Sequence, residues 1–345
     1  MAIVHTAGHQ VIARAFGRAL GQHRGFDVHK TVGVQKLAHF HGHAVAQHQV
    51  LLHLRAAQVE HAVRQAHGLA EVFVSWDGHW YLDVVRNGYP HHIMPNVTYL
   101  VPDARAAFFP LYPRIVHYID VVLPGGPVSV ALFVNIVFGS AFIILMGYLC
   151  RELFDVKTAE KAMIIAAFFP GSFVLSFAYS EALMLMIAAL CFIALRQKAW
   201  VIAGLLAALG TACRPNGIAL VAACGVAALI AIKDDREWKS LAAPLLAPWG
   251  FVGFMVFLKF HTNENAAWFR VQREAWKEGT SFGATAVSRT FDFFLNPTGS
   301  PTSVLTAASM IALILALYFL NKYRIPLMYL AYSAVVIGLM LIPAT

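Results

Sequence analysis

The 345 residues are 59% hydrophobic and only 13% charged, with a mean hydropathy of +0.63. A soluble domain carries about 25% charged residues, so these values exclude a water-soluble globular protein and indicate a polytopic membrane protein. The net charge of +8 does not point to nucleic acid: residues 1–70 hold seven Lys/Arg against two Asp/Glu, residues 71–345 nineteen against sixteen, and basic residues beside membrane spans report topology. Cys150, Cys191, Cys213 and Cys224 fall in or at the ends of apolar runs. Without metal-like spacing or a disulfide framework they read as small core residues.

Residues 1–72 differ in kind from the rest. They contain eleven of the sixteen histidines, no apolar run long enough to span a bilayer and no signal-peptide core. His39, His41 and His43 alternate, with His48 and His53 following, which admits a metal-binding tract. The His, Ala, Arg, Gln and Gly bias fits better with a poorly ordered or mis-translated segment from GC-rich DNA, although Val50 to Val63 retains the composition of a helix. Residues 73–127 then form a long, less hydrophobic loop. After it come the apolar spans Val128–Cys150, Ala162–Ser180, Ala182–Leu195, Ala199–Cys213, Gly217–Ile232, Leu241–Phe260, Thr302–Leu320 and Ile325–Pro343. Several are shorter than the ~20 residues of a typical span, and breaks such as Pro170-Gly171 suggest helices that end inside a protein-lined cavity.

Charge sets the topology. Arg151, Lys157 and Lys161, then Arg196 and Lys198, then Lys233, Arg236 and Lys239, then Lys322 and Arg324 occupy alternate connections, which the positive-inside rule makes cytoplasmic. The opposite face then receives the 71–127 loop, the Phe177–Glu181 tip, the Arg214–Gly217 break and a second loop, 261–301. Every chemically suggestive segment falls on this extracytoplasmic face. The same parity calls for a membrane helix ahead of the first loop, and residues 1–72 supply none.

Each segment carries two readings. Asp77, in Trp76-Asp77-Gly78-His79-Trp80-Tyr81, suits general-base activation of a hydroxyl or the capping of a short interfacial helix; the motif alone favours the cap. Phe108-Phe109-Pro110-Leu111-Tyr112-Pro113-Arg114 reads as a surface element gripping a lipid chain or as an aromatic belt. Glu181, after Tyr179-Ser180, favours a helix N-terminus and is also placed to bind an acceptor. Arg214, in Arg214-Pro215-Asn216-Gly217, offers a fork of donors to phosphate or snorkels to the interface. The amphipathic run Trp268–Glu278 either closes over a cleft or is a plain surface helix.

Taken in order, Trp76–Tyr81 with Asn87-Gly88-Tyr89-Pro90, Phe109–Pro113, Phe169-Pro170-Gly171-Ser172 with Tyr179–Glu181, Arg214–Gly217 and Phe269–Trp276 resemble the PIG-V family, the GPI mannosyltransferase 2-like branch of the GT-C glycosyltransferases, over about residues 73–320. The resemblance implies an all-α, GT-C-like helical bundle of about eight membrane segments, lacking the family's first helix, with the first loop at 73–127 and the bundle at 128–345. It implies inverting transfer of a sugar, usually mannose, from a polyprenyl-phosphate donor to a lipid-linked or glycan acceptor, with Asp77 as base. Trp76, Tyr81, Tyr112, Tyr179, Ser180, Glu181, Arg214, Asn216, Arg270, Gln272 and Trp276 would bind donor and acceptor. Phosphate is a good leaving group, so no metal or cofactor is expected. The membrane would be the cell membrane in a bacterium or the endoplasmic reticulum in a eukaryote. The rival is a non-catalytic protein, either a transporter, a lipid-binding assembly factor or an inactive fragment of the family; a transporter should show internal repeats and a charged midplane, and neither is visible.

Overall fold

The computed structural model describes residues 72–276, 284–297 and 301–341; the histidine tract and Val50–Val63 lie outside them. No strand occurs among the described residues. The first loop holds α1 (Asp77–Asn87), a 3₁₀ turn (Pro102–Ala107) and α2 (Leu111–Val122). There follow α3 (Gly126–Leu153), α4 (Val156–Phe168), α5 (Glu181–Arg196), α6 (Trp200–Cys213) and α7 (Ile218–Asp235). The short α8 (Ala242–Leu246), α9 (Trp249–Thr262), α10 (Ala267–Ala275), α11 (Ala284–Leu295), α12 (Pro301–Lys322) and α13 (Leu327–Leu341) complete the order. Gly126–Leu153, Pro215–Asp235 and Trp238–Thr262 are long and apolar enough to cross a membrane. The chain is an all-α integral membrane protein.

The apolar run 162–180 does not form the single span expected from hydropathy. A helix there starts earlier, at Val156, where the Asp155 carboxylate accepts from the Thr158 amide at 2.9 Å and the Thr158 hydroxyl at 2.8 Å, a satisfied N-cap. It stops at Phe168 because the residue before a proline is driven out of the helical region: Phe169 has φ −60° and ψ 139°, and Pro170–Leu175 tightens into a 3₁₀ turn. Residues 176–180 are thereby freed to fold back toward the first loop. Leu241–Phe260 lies within the candidate span Trp238–Thr262, whose helical segments Ala242–Leu246 and α9 meet at Pro248.

Helix α3 packs on α4 and α5, α6 on α5, α8 and α9, and α7 on α13. The α6–α9 contact requires Gly250, whose Cβ would overlap the Ala208 carbonyl. At one end of the bundle the basic connections meet. Arg196 lies 4.0 Å from Glu152, Lys198 lies 2.6 Å from Asp235 and 3.5 Å from Glu237, and Trp200 Nε1 donates to Glu237 at 2.8 Å. The first loop, the tip before α5, the break after α6 and helix α10 meet elsewhere, around the candidate site.

Candidate active site

Helix α1 buries Gly78, Tyr81, Leu82 and Val85, spaced three and four residues apart along one face. Asp77 is its first residue, and Trp76 before it makes no side-chain cap. The half-buried Asp77 carboxylate is close enough to Tyr179, Glu181 and Arg214 for its charge to act on all three.

Tyr81 points inward from α1 and its hydroxyl shares a 2.5 Å hydrogen bond with Ser180 Oγ. Ser180, wholly buried, also accepts from Arg214 Nη1 at 3.0 Å, and the same guanidinium nitrogen pairs with Glu181 at 2.7 Å. Three segments far apart in sequence thus close on one hydroxyl. Burial pushes the Tyr81 and Tyr179 phenols well above their ordinary range. Glu181 stands ahead of the apolar run of α5, and burial raises its carboxyl too, against the opposing effect of Arg214.

The turn that carries Ser180 and Glu181 is fixed from two sides. Asn135 of α3 is wholly buried, and its Nδ2 donates to the carbonyls of Phe177 and Tyr179, the latter at 2.8 Å. From the first loop, the Tyr179 hydroxyl donates to the Ser75 carbonyl at 3.1 Å, and the Ala178 amide to the Phe73 carbonyl at 2.9 Å. Asn135 is a residue that sequence reasoning passed over. Its signal was present, because it is the only amide within the apolar run Val128–Cys150 and polar groups in spans are costly enough to need a task.

The break after α6 is shaped by Gly217, where a Cβ would overlap the Gly210 carbonyl; only glycine lets the turn fold back this closely on α6. Arg214 is consequently turned inward, its side chain 22% exposed, and does not snorkel. Glu181 lies in the first turn of α5 but serves chiefly as the partner of Arg214, since Ser180 makes no side-chain cap.

Phe109 and Tyr112 are not surface residues. They are 1% and 0% exposed, with Phe109 packed on Phe251, Phe254 and Trp268 and Tyr112 edge-on beneath Tyr81 at 5.1 Å. The segment is a floor under the site, because its aromatics meet those of α1 and α9 instead of lipid. Above them, Trp80 stacks on Phe108, and Trp276 stands edge-on to both.

Helix α10 buries Ala267, Val271 and Ala275 and docks on the first loop. Trp268 Nε1 donates to the Ala107 carbonyl at 3.0 Å, and Glu274 accepts from the Val97 amide at 3.1 Å. Arg270 donates through Nη2 to the Ile93 and Met94 carbonyls at 2.9 and 2.7 Å and through Nη1 to Glu264 at 2.5 Å. The structure therefore brings together Asp77, Tyr81, Tyr179, Ser180, Glu181 and Arg214, with Trp76 at their edge. Arg270 is placed elsewhere, as a clamp between the two loops. Gln272 lies half-exposed on α10, and Asn216 half-exposed in the Pro215–Gly217 turn.

No curated protein and no solved structure shows a significant match to the chain. A family model described as Mannosyltransferase (PIG-V) matches residues 38–239. The match reaches upstream of Phe73 and ends before loop 261–301, covering the first loop and the helices through α7 that carry the polar cluster. On the breadth of that match, the chain belongs to the PIG-V family of mannosyltransferases.

Proposed function

We propose that the protein transfers mannose from a polyprenyl-phosphate carrier to a hydroxyl of a lipid-linked or glycan acceptor at the extracytoplasmic face, with inversion. Asp77 takes the proton of the acceptor hydroxyl as its oxygen attacks the anomeric carbon. The carrier phosphate departs with the bonding electrons toward Arg214. The observation that carries this reading is the convergence of Asp77 and Arg214 on one turn, Tyr179–Glu181. Arg214 is equipped for the phosphate: Nη1 is held by Ser180 and Glu181, while Nε and Nη2 make no hydrogen bond to the described residues. A fixed guanidinium with free donors binds an anion at little further ordering cost. Tyr81, held as a neutral phenol, fixes Ser180 and through it the guanidinium.

The test is incorporation of radiolabelled mannose from polyprenyl-phosphate mannose by membranes containing the protein. Asp77→Asn is expected to abolish transfer with the protein still folded, and Arg214→Ala to raise the donor KM most. Normal turnover by Asp77→Asn refutes the base assignment, and an unchanged donor dependence in Arg214→Ala removes the phosphate role. Folded wild-type protein that transfers no sugar returns the non-catalytic reading.

A further inference from the structure

Glu181 is held in an unusual way for a paired carboxylate. Its Oε2 is shut off from solvent and accepts no aligned hydrogen bond among the described residues. It lies 2.7 Å from Arg214 Nη1, but the aligned hydrogen bond of that nitrogen goes to Ser180 Oγ, 3.0 Å away. The contact is an ion pair without the directed hydrogen bonds that make Arg–carboxylate pairs strong. The charges around it are also out of balance. Asp77 on α1 and Arg214 after α6 act on Glu181, and Glu181 acts on Tyr81 of α1, Tyr112 of α2, Tyr179 beside it and Cys213 of α6. Phenols and thiols are uncharged near neutral pH. Among these described groups one guanidinium therefore faces two carboxyl groups, and the cluster carries an excess negative charge when both are ionised.

A sugar joined to a prenyl chain through phosphate brings one more negative charge to this cluster. In a partly buried site, such a charge raises the proton affinity of a neighbouring carboxyl about tenfold or more. Glu181 is the carboxyl that answers it. It touches the guanidinium directly, burial already disfavours its ionised form, and Asp77 has to stay ionised to act as base. The Glu181 side chain keeps 25% of its exposure, which leaves solvent a route to it. We propose that Glu181 takes up a proton from solvent when the phosphate-bearing donor binds, and so yields Arg214 to the phosphate. No bond of the donor breaks in this step: the proton joins a carboxylate oxygen of Glu181, and the guanidinium exchanges one anionic partner for another. The proton returns to solvent when the phosphate product leaves. This uptake rests on the phosphate role given to Arg214 above. Its sign follows from linkage. Below the pH at which Glu181 ionises in the free protein the proton is already present and affinity is at its highest; above it affinity falls, by up to about tenfold per pH unit.

The test is titration calorimetry of the full chain in nanodiscs with farnesyl-phosphate mannose, repeated in buffers of different ionisation heat so that protons are counted. Wild type should take up protons on binding, rising to about one per ligand at some point between about pH 5 and pH 9, and its Kd should weaken as pH rises. Glu181→Gln keeps the shape without the titrating group. It should take up none, and its Kd should stay flat over the same range. Asp77→Asn should keep the uptake. Binding by wild type without proton uptake anywhere in the range, or equal uptake by Glu181→Gln, overturns the proposal and leaves the transferase reading intact. Uptake lost in Asp77→Asn but kept in Glu181→Gln puts the proton on Asp77 and overturns it as well. The wild-type pH profile needs no variant to fold, and a flat wild-type Kd is equally fatal. Failure of wild type to bind the phosphate ligand, or unchanged binding by Arg214→Ala, sinks the phosphate reading and the proposal with it. Proton-coupled binding in a protein that transfers no mannose leaves the proposal standing and sinks the transferase reading alone.

Discussion

Replacing Asn135 with leucine or with aspartate removes one buried amide in two ways. Leucine keeps the branched outline and opens no cavity, but its methyls are larger than the amide's oxygen and nitrogen, so overpacking adds to the loss of a pair of hydrogen bonds; aspartate keeps the volume. Asn135 Nδ2 donates to the Phe177 and Tyr179 carbonyls from a wholly buried position. Leaving a buried acceptor unmet costs about 1–3 kcal/mol, and side-chain hydrogen bonds within membranes average about 0.6 kcal/mol. For two bonds the loss is on the order of 1–6 kcal/mol, a fall in Tm of several degrees in a detergent unfolding experiment. Activity should suffer more than stability. The two carbonyls set the turn that presents Ser180 and Glu181, those residues hold Arg214, and a displacement near 1 Å at reacting groups costs about 10²-fold. Asn135→Asp should be as damaging, because an ionised carboxylate cannot donate to the two carbonyls. The assay is mannose transfer from the polyprenyl-phosphate donor beside thermal unfolding of the same preparation. An Asn135→Leu protein with wild-type Tm and wild-type transfer would refute the positioning argument.

Two further outcomes follow from the same geometry. Arg270→Ala should release the 93–97 segment from α10, since it removes the donors to the Ile93 and Met94 carbonyls; each charge-assisted bond is worth about 1.5–3 kcal/mol, and amide hydrogen exchange at 93–97 should rise by tenfold or more, whereas unchanged protection there counts against the clamp. Tyr112→Phe removes a buried hydroxyl that lies beside the Asn135 amide without meeting hydrogen-bond geometry to it, so the change in unfolding free energy should stay within about 1 kcal/mol; a drop in Tm of several degrees would mean that the hydroxyl and Asn135 are bonded.

How much of this was legible beforehand depends on which physical rule was decisive. Composition gave the membrane class directly, because few sequences so poor in charge can be solvated. Loop charge singles out the connections around 151–161, 196–198 and 233–239, and in the fold Arg196 and Lys198 pair with Glu152, Asp235 and Glu237 from those connections. Hydropathy failed where local chemistry overrides it. Residues 162–180 carry no charge, but the backbone restriction ahead of Pro170 ends the helix at Phe168 and converts half a span into a turn. Phe109 and Tyr112 were misplaced for a related reason. An aromatic run at a membrane edge looks the same in sequence whether its rings face lipid or other rings, and only the meeting of α2 with α1 and α9 decides it. Asn135 was hidden by averaging, since one amide barely lowers the hydropathy of a long apolar run.

Arg214 shows why the assembled site is more informative than its parts. In sequence it is an arginine beside Pro215-Asn216-Gly217, which favours a shaped turn over a snorkelling anchor. In the fold it is drawn inward against Glu181 at 2.7 Å and Ser180 at 3.0 Å, and Glu181 is itself held against its ionised form by burial. Ion pairs in such surroundings are poor devices for stability, because desolvation offsets most of the attraction. A fold selected for stability alone would do as well with apolar residues at both positions. Under the proposed transfer the arrangement gains its sense from what it prepares: a guanidinium with its orientation already fixed, two nitrogens without a hydrogen bond to the described residues, and the Asp77 carboxylate close enough to feel its charge. Preorganised charge of this kind lowers the cost of stabilising a departing anion, since the donors need no reorganisation at the moment of reaction. The same argument explains why the supporting shell reaches so far, through Ser180 to Tyr81 and through the turn to Asn135. Each added hydrogen bond removes a direction in which the guanidinium and its Glu181 partner would otherwise move.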